Sequence, residues 1–191
     1  MTRAIRHLTC FSLIAGLMLA AGLHAQDPVA RYSALAVNMG AAGVGAAGTI
    51  NLTVTRWSTE AEREKLTTVL LEQGPDKLLS VLQDMPRIGS ISSTGNIGFD
   101  LRFAHHEPAP GGGERIVLLT DRPVSFWEAR ANPRSMDYPF TLVELRLNSQ
   151  GEGEGKLSAA TKIMADKENK TVVLENWAAQ PVMLTTVKRA K

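Results

Sequence analysis

Cysteine is almost absent from the sequence: the 191 residues include one, Cys10, which lies just ahead of the first apolar segment. Because the residues after Cys10 include no cysteine, they can contain no disulfide, no thiolate metal site and no cysteine nucleophile. The fold must therefore be stabilised by its own hydrophobic core.

An excess of charge of one sign is also missing. The chain has 21 Lys and Arg residues against 19 Asp and Glu residues, and two of the basic residues, Arg3 and Arg6, precede the first apolar segment. Beyond them the two signs are balanced and interleaved. Because a nucleic-acid-binding protein needs a basic face to replace the counterions of the phosphates, we expect no nucleic acid partner.

No apolar run is long enough to span a bilayer, which takes about 20 residues. The first run, Phe11 to Ala21, follows the basic residues and precedes Leu-His-Ala at residues 23–25. This order predicts a secretory signal peptide over residues 1–25, with an uncleaved anchoring helix as the alternative. We therefore expect an exported protein, periplasmic or secreted, whose mature chain has no membrane span and forms one domain.

The segment Gly-Val-Gly-Ala-Ala-Gly at residues 43–48 matches the dinucleotide-binding fingerprint G-x-G-x-x-G but lacks its context. The fingerprint must open a helix, because the helix N-terminus holds the pyrophosphate. Here Ile50, Leu52 and Val54 alternate with polar residues, which is typical of a strand. We expect no cofactor, and we interpret residues 26–48 as a flexible Ala/Gly-rich lead-in to a single domain over residues 49–191.

Two helices are predicted directly after this strand, near residues 59–73 and 76–85. Thr59 and Glu62 have the spacing of a capping box, and apolar residues then recur at helical intervals. Gly74 ends the first helix, and Pro75 suits the first turn of the second. The pattern indicates a helix pair inserted into the chain.

From residue 87 onward the sequence is typical of short strands separated by turns. Phe99, Leu101 and Phe103 alternate with Asp100 and Arg102, and the run at residues 115–120 is apolar enough for a central strand. The predicted fold is mainly β (α+β). It is a single antiparallel β-sandwich or partly open barrel of about eight strands, with a two-helix insertion after the first secure strand and an up-and-down order in its C-terminal half.

Titratable residues give no complete catalytic or metal constellation. His105 and His106 are adjacent, so on a strand they face opposite sides and do not readily share a metal ion. Asp100, Glu128 and Glu144, with His105, are candidates for a carboxylate-dependent hydrolase. The alternative is an exposed sheet face with cross-strand ion pairs, and we predict no catalytic and no metal-binding residue.

Three tryptophans lie near the ends of predicted strands: Trp57, Trp127 and Trp177. They can plug the ends of a sandwich or barrel, or they can line a mouth that binds an apolar or carbohydrate ligand. Together with His105 they are the candidate ligand-binding residues.

The segments Thr120 to Glu128, Asp137 to Leu157 and Thr161 to Trp177 resemble a family of small exported bacterial proteins of unknown function. The resemblance covers residues 49–188 and is most specific over residues 137–177. It implies a bacterial source and export, and it implies no catalytic residue, cofactor or substrate.

The leading functional hypothesis is an exported, non-enzymatic binding domain. Its ligand would be a small apolar or carbohydrate molecule, or its partner another protein of the cell envelope. The alternatives are the carboxylate-dependent hydrolase and a structural or assembly factor of the cell envelope, which would show an exposed apolar patch or an unpaired strand edge.

Overall fold

The structure is a computed structural model that describes residues 27–37, 47–94, 98–122, 139–166, 171–176 and 181–190. The predicted signal peptide, most of the glycine-rich segment, Trp127, Glu128 and Trp177 lie outside these residues. Among the described residues, no helix has the length and apolar character needed to cross a membrane.

Within the described residues, nine strands and two helices follow one another. Their bounds are β1 Ala30–Val37, β2 Ala47–Val54, α1 Glu60–Gln73, α2 Pro75–Asp84, β3 Gly89–Ser93, β4 Phe99–Ala109, β5 Gly113–Thr120, β6 Phe140–Leu147, β7 Glu152–Asp166, β8 Thr171–Asn176 and β9 Val182–Arg189. The mainly β composition and the helix pair after the β2 strand confirm those two parts of the predicted fold class.

All neighbouring strands are antiparallel, and their order closes into a barrel. Each strand from β1 to β7 pairs with the next one in the chain, including β2 with β3, which are separated in sequence by the two helices. The β7 strand pairs with β9, and β9 pairs with β1. The prediction of a sandwich or partly open barrel is thus corrected to a closed barrel. The sequence did not indicate closure, because the pairing of β1 with β9 joins distant parts of the chain and has no local sequence pattern.

The β8 and β9 strands both pair with the same edge of the long strand β7. Its distal part pairs with β8, from Thr161 opposite Asn176 to Asp166 opposite Thr171. Its proximal part pairs with β9, including Gly153 opposite Val187 and Leu157 opposite Val182. The β8 and β9 strands therefore follow one another along β7, so the barrel has the up-and-down order expected for the C-terminal half.

The barrel interior is an apolar core of alternating side chains from every strand that forms the ring. These buried side chains belong to Ala30, Tyr32, Ala34, Ala36, Ile50, Leu52, Val54, Ile88, Ile91, Leu101, Ala104, Ile116, Leu118, Val143, Leu145, Leu147, Leu157, Leu184 and Val187. The period of two places each set on one face of its strand, and closure turns that face inward.

A β-bulge in β4 changes which side chains face inward. Leu101 pairs with Thr120 and Phe103 pairs with Leu119, so Arg102 is the extra residue. Leu101 and Ala104 lie in the interior core, whereas Phe103 packs in a second cluster outside it. The predicted alternation, which placed Leu101 and Phe103 on one face, is therefore wrong beyond the bulge.

The second cluster joins the helix pair to the outer face of the barrel. Leu66, Leu70 and Leu82 from the helices are buried with Leu119 and Phe140 from the sheet. The bulged Arg102 reinforces this junction, since its Nη1 donates to the carbonyl oxygen of Met85 at 2.9 Å and its Nε donates to Asp121 at 3.1 Å. The helices thus cover one side of the sheet, as the helical pattern indicated.

The ordered sheet begins earlier than the predicted domain start at residue 49. Tyr32 on β1 pairs with Leu52 on β2 and with Arg189 on β9, so residues 30–37 are part of the ring rather than of a flexible lead-in. Thr49 lies within β2, so the glycine-rich segment leads into a strand, as expected, and not into a helix. Residues 38–46 lie outside the described residues.

Helix α1 begins with the predicted capping box. The backbone amide of Glu62 donates to Thr59 Oγ1 at 3.2 Å, and the backbone amide of Thr59 donates to Glu62 Oε2 at 2.8 Å. Arg56 donates two hydrogen bonds to the same carboxylate, at 2.8 and 2.9 Å. The Arg56 hydrogen bonds, with a smaller contribution from the Thr59 amide, lower the pKa of Glu62 to about 2.

We predict that Glu62→Gln lowers the free energy of unfolding at pH 7 by about 1–2 kcal/mol, because it weakens one cap and an ion pair with a partly exposed arginine. The folded-state pKa is depressed, so this stabilisation is present above pH 4.5 and is lost as the pH falls towards 2. Urea titrations of both proteins across this range measure it, with Glu64→Gln on an exposed position of α1 as the control. A difference that stays constant down to pH 2 would contradict the assignment.

Candidate ligand-binding site

One end of the barrel brings polar and aromatic side chains together. The starts of β1, β5 and β7 and the ends of β4, β6 and β9 meet there, as the register of Tyr32 with Arg189 and of Glu114 with Leu147 shows. We call Tyr32, Trp57, His106, Glu114 and Arg189 the mouth cluster. The cluster combines residues that are far apart in the chain.

Tyr32 is the innermost member of the mouth cluster. Its side chain points into the barrel and is 2% exposed. Its hydroxyl is buried and has no hydrogen-bond partner among the described residues. Burial, with a smaller contribution from the Glu114 carboxylate, raises the pKa of Tyr32 to about 12, while Arg189 opposes the shift.

Arg189 lies over Tyr32 and pairs with Glu114. Its guanidinium carbon is 6.0 Å from the centroid of the Tyr32 ring, which is within the range of a cation–π contact. Its Nη1 donates to Glu114 Oε1 at 3.2 Å. Gly151 lies against the stem of this side chain, where a Cβ would come within 3.0 Å of Arg189 Cβ, and its φ of 77° also favours glycine.

Trp57 and His106 form the aromatic part of the mouth cluster. Their ring centroids are 4.2 Å apart and their planes differ by 27°, which is a stacked arrangement. His106 Nδ1 lies 3.6 Å from Glu114 Oε2. The stack therefore adjoins the ion pair between Glu114 and Arg189.

The segment between β2 and α1 fixes the position of Trp57. Arg56 Nη1 donates to the Trp57 carbonyl oxygen at 3.1 Å while the same guanidinium holds Glu62. Ser58 is tied to β4 twice, since its amide donates to the Ala104 carbonyl oxygen at 2.8 Å and its Oγ accepts from the Ala104 amide at 3.1 Å. The Trp57 side chain packs partly buried against the interior core.

His105, the predicted ligand-binding histidine, lies on the outside of the barrel. It pairs with Val117, and its ring stacks with Phe103 at a centroid distance of 6.4 Å. His106, on the opposite side of β4, is the histidine that meets Trp57. The expectation that the two imidazoles face opposite sides is confirmed, but the sequence offered no reason to choose His106.

Of the three predicted tryptophans, the structure places Trp57 in the mouth cluster, and Trp127 and Trp177 lie outside the described residues. Sequence reasoning missed Tyr32, Glu114 and Arg189. Tyr32 lies on the same face of β1 as Ala34 and Ala36, so the alternation of the sequence could have indicated that it faces the core. The sequence could not indicate the contact of Glu114 with Arg189, because this contact depends on closure of the ring.

The candidate hydrolase carboxylates lie in separate ion-pair groups. Asp100 pairs with Arg87 at 3.1 Å near the start of β4. Glu144 accepts from Arg115 and Arg146, each at 3.0 Å, on the outer face of β6. Burial favours a higher pKa for Glu144, but the hydrogen bonds from these two arginines outweigh it and lower the pKa. Glu128 lies outside the described residues.

The described residues contain no group of three or more His, Cys, Asp or Glu side chains arranged to hold a metal ion.

Comparison of the chain with protein-family models, with curated proteins and with solved structures finds no match. The chemistry of the mouth cluster is therefore inferred from its own geometry.

We predict that the Tyr32 phenol titrates near pH 12 in the folded protein, because burial disfavours the phenolate. Absorbance at 295 nm of a Tyr138→Phe variant isolates this group, since the chain has two tyrosines. The folded-state pKa is raised, so its stabilisation is complete below pH 10 and is lost as the pH rises towards 12. Titration near pH 10 with intact circular dichroism would contradict the burial.

Proposed function

We propose that the protein is an exported, non-enzymatic binding domain that holds a small carbohydrate at the mouth cluster. The observation that carries the proposal is the Trp57–His106 stack beside the Glu114–Arg189 ion pair at one end of a closed barrel. Export rests on the signal peptide pattern of residues 1–25.

A carbohydrate suits this combination better than a purely apolar ligand. The C–H bonds on one face of a pyranose ring are weakly positive and pack on the negative face of an aromatic ring. Its hydroxyls donate to a carboxylate and accept from a guanidinium, as Glu114 and Arg189 offer. A purely apolar ligand would instead bury this ion pair without replacing its water contacts, which is costly.

We expect the wild-type protein to bind neutral methyl pyranosides and Trp57→Ala to lose at least about tenfold in affinity, equivalent to about 1.4 kcal/mol. Trp57→Phe keeps an aromatic face and should lose less. Isothermal titration calorimetry measures the affinities, and saturation-transfer NMR identifies the sugar protons that contact the protein.

Arg189→Ala tests the polar half of the site, with Arg146→Ala as its matched control. Both arginines pair with a glutamate, but Arg146 does so with Glu144 of its own strand β6, on the outer face of the barrel. We expect the first substitution to weaken sugar binding and the second to leave it unchanged. Equal effects, or no binding by the wild type to any sugar of the panel, would contradict the proposal.

The hydrolase alternative has less support from the described residues. Asp100 and Glu144 each have their own arginine partners, and His105 faces away from the barrel interior. A retaining or inverting glycosidase needs two carboxylates on either side of one bond. The ion pairs of Asp100 and Glu144 instead resemble those of an exposed sheet face.

A second candidate function, structural self-association, is favoured by β8. In the described part of the chain this strand pairs with β7 alone, and its side chains Val173 and Leu174 are each 41% exposed. Antiparallel pairing of β8 with β8 of a second copy about a two-fold axis would place Val173 opposite the Val173 of that copy. It would also place Glu175 opposite Thr171, so that like charges do not meet.

Sedimentation velocity over a concentration series tests this candidate. We expect a concentration-dependent dimer for the wild type and a monomer for Val173→Lys, because a charge in the apolar contact must be desolvated. Lys162→Ala on the neighbouring strand β7 is the control. A wild-type monomer at all concentrations would contradict the self-association role and would leave the mouth cluster proposal unaffected.

A further inference from the structure

The hydroxyl of Tyr32 is the feature of the mouth cluster that packing alone does not explain. A phenylalanine would supply the same ring to the core and the same face to the Arg189 guanidinium. The hydroxyl adds a buried polar atom with no partner in the described ranges. Buried polar groups are nearly always hydrogen-bonded, because an unmade bond lowers stability, so an exception calls for a specific reason.

The Arg189 side chain lies over the Tyr32 ring at this end of the barrel. The Arg189 side chain is 42% exposed and extends from the last residue of β9. Its backbone is held, since the Arg189 amide donates to the Gly151 carbonyl oxygen at 2.8 Å. Rotation of the side chain would therefore uncover the Tyr32 ring without unpairing a strand.

We infer that Tyr32 is the inner contact of the carbohydrate site and that, together with Glu114, it selects a neutral ligand with two adjacent hydroxyls. The ligand takes the place of the Arg189 side chain above the ring, and the guanidinium remains beside the ligand as a donor. One ligand hydroxyl then accepts a hydrogen bond from Tyr32, and the adjacent one donates to Glu114. The inference rests on the proposed function and adds the class of ligand and the residue that recognises it.

Charge and protonation support the neutral class. A phenol with a pKa of about 12 remains protonated at physiological pH and acts as a donor. The Glu114 carboxylate accepts hydrogen bonds and repels an anion placed beside it. A sugar that carries its own carboxylate at this position is therefore disfavoured, and so is a sugar that lacks one of the two hydroxyls.

Calorimetric titration of the wild type and Tyr32→Phe with three probes tests the inference. The probes are a methyl hexopyranoside, its monodeoxy analogues and the corresponding methyl hexuronate. We expect the substitution to weaken binding of the neutral sugar about tenfold and to remove most of the preference over one deoxy analogue, while the preference over the hexuronate, which depends on Glu114, remains. Thr67→Val, which removes an exposed hydroxyl on α1, is the control and should bind the sugars as the wild type does.

Thermal unfolding without ligand separates a recognition role from a structural one. Removal of an unpartnered hydroxyl should leave the Tm of Tyr32→Phe unchanged or raise it, whereas loss of a structural hydrogen bond would lower it. A lowered Tm, or unchanged sugar affinity in Tyr32→Phe while Trp57→Ala loses binding, overturns this inference and leaves the proposed function standing. Failure of the wild type to bind any neutral pyranoside overturns both.

Discussion

The pairing of β9 with both β1 and β7 is the constraint on which the rest of the structure depends. Without it the sheet would be open, and β1 and β7 would each have an unpaired edge. With it, one face of every strand in the ring turns inward and becomes the apolar core. The same pairing brings Arg189 over Tyr32 and within reach of Glu114, so closure of the barrel and assembly of the mouth cluster are one event.

The strands β4 to β7 show a second consequence of the architecture, because their inner faces line the core and part of their outer faces lies under the helices. Ile116 and Leu118 on β5 lie in the barrel core, and Leu119 lies under the helices. This explains why β5 reads as a continuous apolar run rather than as an alternation. The bulge at Arg102 serves both faces, since it turns Phe103 outward towards the helices and lets its own guanidinium hold the end of α2.

Local patterns predicted most of the elements, and they failed where a contact depends on distant parts of the chain. The capping box at Thr59 and Glu62 and the alternation of Ile50, Leu52 and Val54 are properties of short segments, and the structure confirms them. Residues 30–37 were assigned to the lead-in, because a short apolar run does not identify a strand until its partner strand is known. Only Trp57 of the mouth cluster was predicted, since a tryptophan near a strand end is a local signal. Tyr32, Glu114 and Arg189 meet through the register of five strands, β1, β9, β7, β6 and β5.

The chain ends of the barrel also lie side by side. The backbone amide of Ala190 donates to the Arg31 carbonyl oxygen at 2.8 Å, so the beginning of β1 and the end of β9 are neighbours. A short peptide could link them, and the exposed turn at residues 110–112 could be cut to create new termini. Such a circular permutant would start at β5 and end at β4 with every strand pairing retained. The order in which the ribosome makes these strands is therefore separable from the order in which they stand around the ring.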